Sequence, residues 1–168
     1  MDEHPTTERA RIDAFLAPGS RIALVGASTN EQDFSRAMMR ELIAHDIDVV
    51  PVHPGVDRIG DRRAYGRVTD IEGRVDGALI MTRPEAAAGI LEECARAGID
   101  RVWLHRGVGQ GSVSDDAIAT AHAHELELVS GRCPLMFLGE RPAAVHRVHA
   151  AMLKLVGRYP RRPPPARA

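Results

Sequence analysis

The stretch Ile22-Ala-Leu-Val-Gly-Ala-Ser-Thr-Asn-Glu-Gln-Asp-Phe-Ser35 opens with four apolar residues and then turns on a glycine. A short continuous apolar run stopped by glycine reads as a strand buried on both faces, the kind found in parallel sheets. The turn starts like a nucleotide-binding turn but does not complete the fingerprint. G-x-G-x-x-G needs two further glycines, and Ser28 and Glu31 stand in their places. The next twenty residues decide the fold. Residues 35–45 set Met38, Met39, Leu42 and Ile43 at helical spacing, and residues 47–52 form a second β-branched run ended by His53-Pro54-Gly55. Strand, polar loop, helix and strand in this order make a βαβ unit.

The unit repeats along the chain. Residues 77–81 read as a strand, 84–97 as an Ala-rich helix with Pro84 in its first turn, and Gly98 as its stop. A strand over 102–104 comes next, then a helix opened by Ser114-Asp115-Asp116 and running to about residue 125, then a strand over 126–129. Alternation of this kind predicts an α/β, Rossmann-like parallel sheet with helices on both faces. Residues 1–18 hold a leading helix with Ile12, Phe15 and Leu16 at helical spacing, and residues 19–138 form the domain. An extra C-terminal helix is predicted over 139–158, where Val145, Val148, Met152, Leu153 and Val156 share an apolar face that suits the domain or a second copy of the chain in a homodimer. The Pro- and Arg-rich residues 159–168 read as a disordered tail.

The whole chain narrows the function. Its 168 residues fit one domain, and a formal net charge of −1 provides no broad positive field, so nucleic acid is not expected as a partner. Two cysteines, Cys94 and Cys133, are too few for a disulfide framework. With no basic-then-apolar leader and no apolar run near the roughly 18 residues of a membrane span, the expectation is a soluble cytoplasmic protein without membrane attachment.

Ligands of open parallel sheets bind outside the carboxyl ends of the strands, where strand order reverses. The candidate residues are therefore Gly26, Ala27, Ser28 and Thr29, then His53 and Pro54, Thr82, Arg83 and Pro84, His105 to Gly109, and Ser130 to Pro134. Backbone N–H groups over 27–29, with the hydroxyls of Ser28, Thr29 and Ser35, can cradle a phosphate at the positive end of the following helix. The plainer reading is a tight turn at Gly26 and a helix cap at Ser35. An NAD site would want an acidic residue at the end of the second strand, and Val52-His53-Pro54 stands there instead. A phosphorylated ribose, as in NADP or coenzyme A, suits His53 better. Arg58, Arg62 and Arg63 can pair with such a phosphate or form a solvated run.

Taken in order, V-G-A-S at 25–28 with Ser35, P-V-H-P-G at 51–55, Tyr65, V-D at 75–76, R-P-E at 83–85, W-L-H-R-G-V at 103–108 and G-R-C-P at 131–134 resemble the small stand-alone CoA-binding domain proteins. That family is similar in fold to the N-terminal CoA domain of succinyl-CoA synthetase α subunits. The resemblance spans about residues 20–138 and implies a CoA site along the strand ends. It would set Gly26, Ala27, Ser28 and Thr29 against the phosphates and His53 and Pro54 near the adenosine. Arg83 and Pro84 would lie along the nucleotide or pantetheine, and Gly107, Val108, Cys133 and Pro134 toward the far edge. His105-Arg106 is more polar than the family's usual strand end before Gly107.

No catalytic set emerges. Cys133 is a nucleophile candidate beside Arg132, or else a residue that shapes its turn. His122 and His124 diverge on a helix, and His146 and His149 have ligand spacing but no further donor nearby, so no metal is expected. The expected function is a non-catalytic CoA or acyl-CoA binding or regulatory module. Two alternatives stand beside it: an NADP-dependent oxidoreductase or redox sensor using the arginines over 58–63, and a subunit of an acyl-CoA synthetase-like enzyme.

Overall fold

The computed structural model describes residues 7–106 and 111–138, so the C-terminal helix predicted over 139–158, the tail, Gly107, Val108, His146 and His149 lie outside the described residues. Five parallel strands form the central sheet: β1 (Arg21–Val25), β2 (Asp48–Val52), β5 (Gly77–Ile80), β6 (Arg101–His105) and β7 (Glu127–Arg132). A two-stranded hairpin, β3 (Arg58–Ile59) and β4 (Arg62–Arg63), lies between β2 and β5 in sequence. The helices are α1 (Glu8–Phe15), α2 (Phe34–Ala44), α3 (Pro84–Arg96) and α4 (Asp115–Ala123).

The sheet order is β2-β1-β5-β6-β7. β1 is the inner strand that meets both halves: Ile22 to Val25 pair with Val49 to Val52 on one side and with Gly77 to Ile80 on the other. Its alternating side chains divide the interior in two. Ile22 and Leu24 join a layer with Ile12 and Phe15 of α1, Met38, Met39 and Leu42 of α2, and Leu79 and Trp103. Ala23 and Val25 join the opposite layer with Ala87, Leu91 and Cys94 of α3 and Ala117 and Ala121 of α4. All these side chains are buried, so the sheet is covered on both faces as the apolar runs require.

The two layers differ in grain. The first is built from large side chains, with the Phe15 and Trp103 rings edge to face at 5.3 Å and the Trp103 Nε1–H donating to the Arg132 carbonyl at 3.0 Å. The second is rich in alanine, and α3 and α4 pack against each other over it.

Helix ends follow local chemistry. Thr7 caps α1, Ser114 caps α4 by accepting from the Ala117 N–H at 3.1 Å, and Pro84 occupies the first turn of α3. The elements expected over the described residues are all present, with ends moved by at most three residues. The connection from β2 to β5 holds no α-helix; it carries the hairpin, whose return strand leads to Tyr65, bridged to Val52, and a short 3-10 turn at Val68–Asp70. No described helix is long and apolar enough to cross a membrane.

Leu79 is fully buried beside Trp103, the single tryptophan of the chain. Leu79→Ala is expected to lower unfolding stability by about 2–5 kcal/mol, read from urea titrations by Trp103 fluorescence.

Candidate functional site

Strand order reverses between β1 and β5, so the crevice expected for a ligand opens where Gly26 leaves β1 and Met81-Thr82-Arg83 leave β5. These ends are tied together. The Gly26 N–H donates to the Val52 carbonyl at 3.2 Å and the Met81 N–H to the Val25 carbonyl at 2.8 Å. Gly26 has φ +92°, and a Cβ there would lie 3.0 Å from both the carbonyl carbon and the oxygen of Met81 and 3.1 Å from Cγ2 of Thr82. Only glycine meets both demands, a left-handed backbone and a close approach to the neighbouring strand end.

On the far side of the crevice, Ser112 ties the ends of β5 and β6. It is buried, its N–H donates to the His105 carbonyl at 2.9 Å, and its hydroxyl lies 2.9 Å from the Ile80 carbonyl and 2.7 Å from that of Thr82. Its hydroxyl's partners are about thirty positions away in sequence, so no local pattern signals it.

The loop after Gly26 is held by its own side chains. The Ser28 N–H donates to Ser35 Oγ at 2.9 Å, and Ser35 Oγ donates to Asp33 Oδ1 at 2.6 Å. Asp33 Oδ1 also accepts from the Ser35 N–H at 2.8 Å, which makes Asp33 the cap of α2. The expectation that Ser35 caps this helix is corrected, since the cap is Asp33. Ser35 is buried and serves the turn. Its proton is directed at a carboxylate, and it occupies the Ser28 N–H. The Asn30 N–H is taken by Ser28 Oγ and the Gln32 N–H by Asn30 Oδ1. Ala27 is buried beneath the turn, while Thr29 is exposed at its lip.

The other candidate residues divide by strand. His53 and Pro54 follow β2 next to the Gly26 turn. The Gly55 N–H donates to His53 Nδ1 at 3.0 Å, and Pro54 is exposed. Arg83 is exposed at the start of α3 with Pro84 behind it. Thus Gly26, Ala27, Ser28, Thr29, His53, Pro54, Arg83 and Pro84 share one edge of three adjacent strands. Cys133 and Pro134 do not join them. Both are buried after β7, three strand spacings from β1, or roughly 14 Å across the sheet.

Two of the three arginines after β2 face elsewhere. Arg62 donates to Asp48 Oδ1 at 2.7 Å and to the Val49 carbonyl at 2.9 Å, at the amino end of β2 and away from the crevice. Arg63 pairs with Glu72 at 3.2 Å and lies over the Tyr65 ring. Arg58 donates to the Asp61 carbonyl at 2.6 Å within the hairpin. The sequence left these arginines as either a phosphate clamp or a solvated run, and the hairpin carries Arg62 back down the edge of β2. A feature not anticipated is Phe34, the first residue of α2, which is 41% exposed and stands 5.5 Å from the His105 ring at the end of β6.

A family of CoA binding domains matches residues 20–139, the whole of the sheet just described. The chain belongs to that family. An ADP-forming acetate–CoA ligase of Methanocaldococcus jannaschii is 31% identical over 85 residues, which is 51% of this chain and 12% of the ligase. The chain thus spans a small part of that relative's length. A hypothetical protein from Pyrococcus horikoshii OT3 superposes with a TM-score of 0.69 at 26% identity, covering 80% of this chain and 94% of that one. A dinucleotide-forming acetyl-coenzyme A synthetase from Ca. Korarchaeum cryptofilum shares the fold, with a TM-score of 0.59 at 24% identity over 70% of this chain and 27% of that one.

Both cysteines of the described residues are unpaired in disulfides and buried. Burial pushes the Cys133 thiol up to about 11 and the Cys94 thiol to about 12, so neither is a thiolate near neutrality. Both folded-state values lie above the ordinary 9.0, so their contribution to stability is complete below pH 9 and is lost as pH rises through about 11 and 12. Native protein is expected to resist maleimide labelling at about pH 7.5, to label at both thiols once unfolded, and to lose stability above about pH 9 in thermal melts. Gly26→Ala is expected to cost roughly 1–3 kcal/mol from backbone strain alone, with a further penalty from the contact with Met81, measured by urea unfolding.

Proposed function

We propose that this chain is a binding module for coenzyme A or an acyl-CoA, with the ligand seated where β1 and β5 diverge. The observation that carries the reading is the sheet's reversal between β1 and β5, which brings the small residues 26–28, His53-Pro54 and exposed Arg83 to one edge of three neighbouring strands. Family membership supplies the ligand class. The residues fit such a group: small side chains at 26–28 admit a pyrophosphate close to backbone, Pro54 offers an apolar surface beside the adenosine end, and exposed Arg83 offers a cation.

In this reading the module binds and does not transform its ligand. Cys133 is buried and protonated, and its neighbour Arg132 is paired with Glu8 at 3.1 Å. The match to one segment of an acetate–CoA ligase supports a second reading, in which the chain serves as the CoA-holding part of a synthetase-like assembly. The NADP reading draws less support, because two of the arginines it relied on are engaged with Asp48 and Glu72.

Thermal-shift and calorimetric titrations with CoA, acetyl-CoA, ADP, NADP and NAD test the proposal. CoA species are expected to bind, and a ligand at about 100 times its Kd stabilises the fold by roughly 2.7 kcal/mol. Binding of NADP without CoA would replace this reading with the oxidoreductase one.

A further inference from the structure

Arg36 is the buried cation that the crevice does not explain. It lies in the first turn of α2 and is only 7% exposed. Among the described residues its buried Nε has no hydrogen-bond partner, and no carboxylate lies within ion-pair distance of its guanidinium. Asp33, the nearest acid in sequence, is committed to the Ser35 N–H and hydroxyl.

Three physical terms oppose a cation in this position. Burial removes hydration from a charge that no fixed counter-charge among the described residues replaces. The amino end of a helix carries a partial positive charge, which repels it. A buried N–H donor without an acceptor forfeits a hydrogen bond. A solvated arginine escapes all three, whereas Arg36 is held in place. The tip of the β3–β4 hairpin closes over it: Gly60, at φ +62°, leaves the guanidinium room, with Nη2 3.1 Å from where a Cβ would stand.

We infer that Arg36, between the first turn of α2 and the hairpin tip, is an oxyanion subsite that takes a phosphate group. A planar guanidinium with unused donors matches phosphate oxygens, and a bound phosphate reverses all three opposing terms at once. The subsite is separate from the Gly26 turn and stands whether or not CoA is the ligand there. The phosphate comes either from a bound nucleotide, such as the 3′-phosphate of CoA, or from inorganic phosphate.

The full chain and its Arg36→Met variant, which keeps the aliphatic stem and removes the charge, are compared in two measurements. In the first, melting temperature is followed in sodium phosphate against sodium chloride at equal ionic strength. Phosphate is expected to raise Tm of the parent chain and not that of R36M, while R36M without phosphate is as stable as the parent or more so, since it buries no unpaired charge. In the second, CoA and dephospho-CoA affinities are compared. A preference for CoA on the order of tenfold or more in the parent that collapses in R36M assigns the subsite to the 3′-phosphate. A phosphate shift lost in R36M with no such preference assigns it to free phosphate.

Equal phosphate shifts in parent and variant, or no shift in the parent together with an unchanged CoA to dephospho-CoA ratio in R36M, would overturn the inference. If neither CoA nor dephospho-CoA binds the parent, the proposed CoA module fails while the phosphate arm still decides Arg36. Should R36M not fold, Arg36→Lys replaces it. A lysine keeps the charge but not the planar fork, so the phosphate shift is expected to shrink severalfold, and an undiminished shift would count against the subsite.

Discussion

The central constraint in this molecule is the close approach of two strand ends at the sheet's reversal. β1 must hydrogen-bond β2 on one side and β5 on the other, and the chain leaving it must turn away without a side chain, because the Met81 carbonyl occupies the space where one would point. Gly26 satisfies that demand. From it follow the opening of the loop over residues 27–33 and the setting of that turn between His53-Pro54 on one side and Thr82-Arg83 on the other. The crevice is the consequence of strand order, and its chemistry comes from the residues that order brings together.

The loop after Gly26 obeys a different logic from a glycine-rich phosphate turn. In a G-x-G-x-x-G turn bare backbone N–H groups face the ligand. Here Ser28, Asn30, Asp33 and Ser35 occupy several of those donors with their own side chains. The loop gains a fixed shape and gives up part of its capacity to hold an anion. Placing the acidic cap Asp33 at the positive end of α2 also satisfies the helix from within. Positive charge around this edge comes from arginine side chains, and the structure distributes these unevenly. Arg21 and Arg62 converge on Asp48 at the opposite end of the sheet, Arg83 is exposed at the crevice, and Arg36 is buried with its Nε unpartnered among the described residues.

The sequence by itself determined the elements. Apolar runs at 22–25, 47–52 and 77–81, the helical spacing of Met38, Met39 and Leu42, Pro84 at a helix start and Gly98 at a helix stop are local signals, and local signals suffice for strands and helices. They also set the class, since strands buried on both faces need helices on both sides. The motif order along the chain carried the family. Gly26, His53, Pro54 and Arg83 were legible as candidates because a strand end followed by a small residue, proline or arginine is visible in one dimension.

Only the tertiary structure decided which of those residues meet and which charges are already paired. Arg62 follows β2 closely in sequence, yet the hairpin returns it to Asp48 at the strand's other end. Cys133 reads as a candidate nucleophile in a turn, yet it is packed into the interior layer that holds Trp103 and Met136. Ser112 and Arg36 carried no signal at all, because their environments are made by residues about thirty or twenty-four positions away in the chain, at Ile80 and Thr82 and at Gly60. The physical reason is common to all four. Periodicity and turn chemistry are governed by neighbours in sequence, whereas burial and ion pairing are governed by neighbours in space, and a parallel sheet with crossovers makes those two sets of neighbours different.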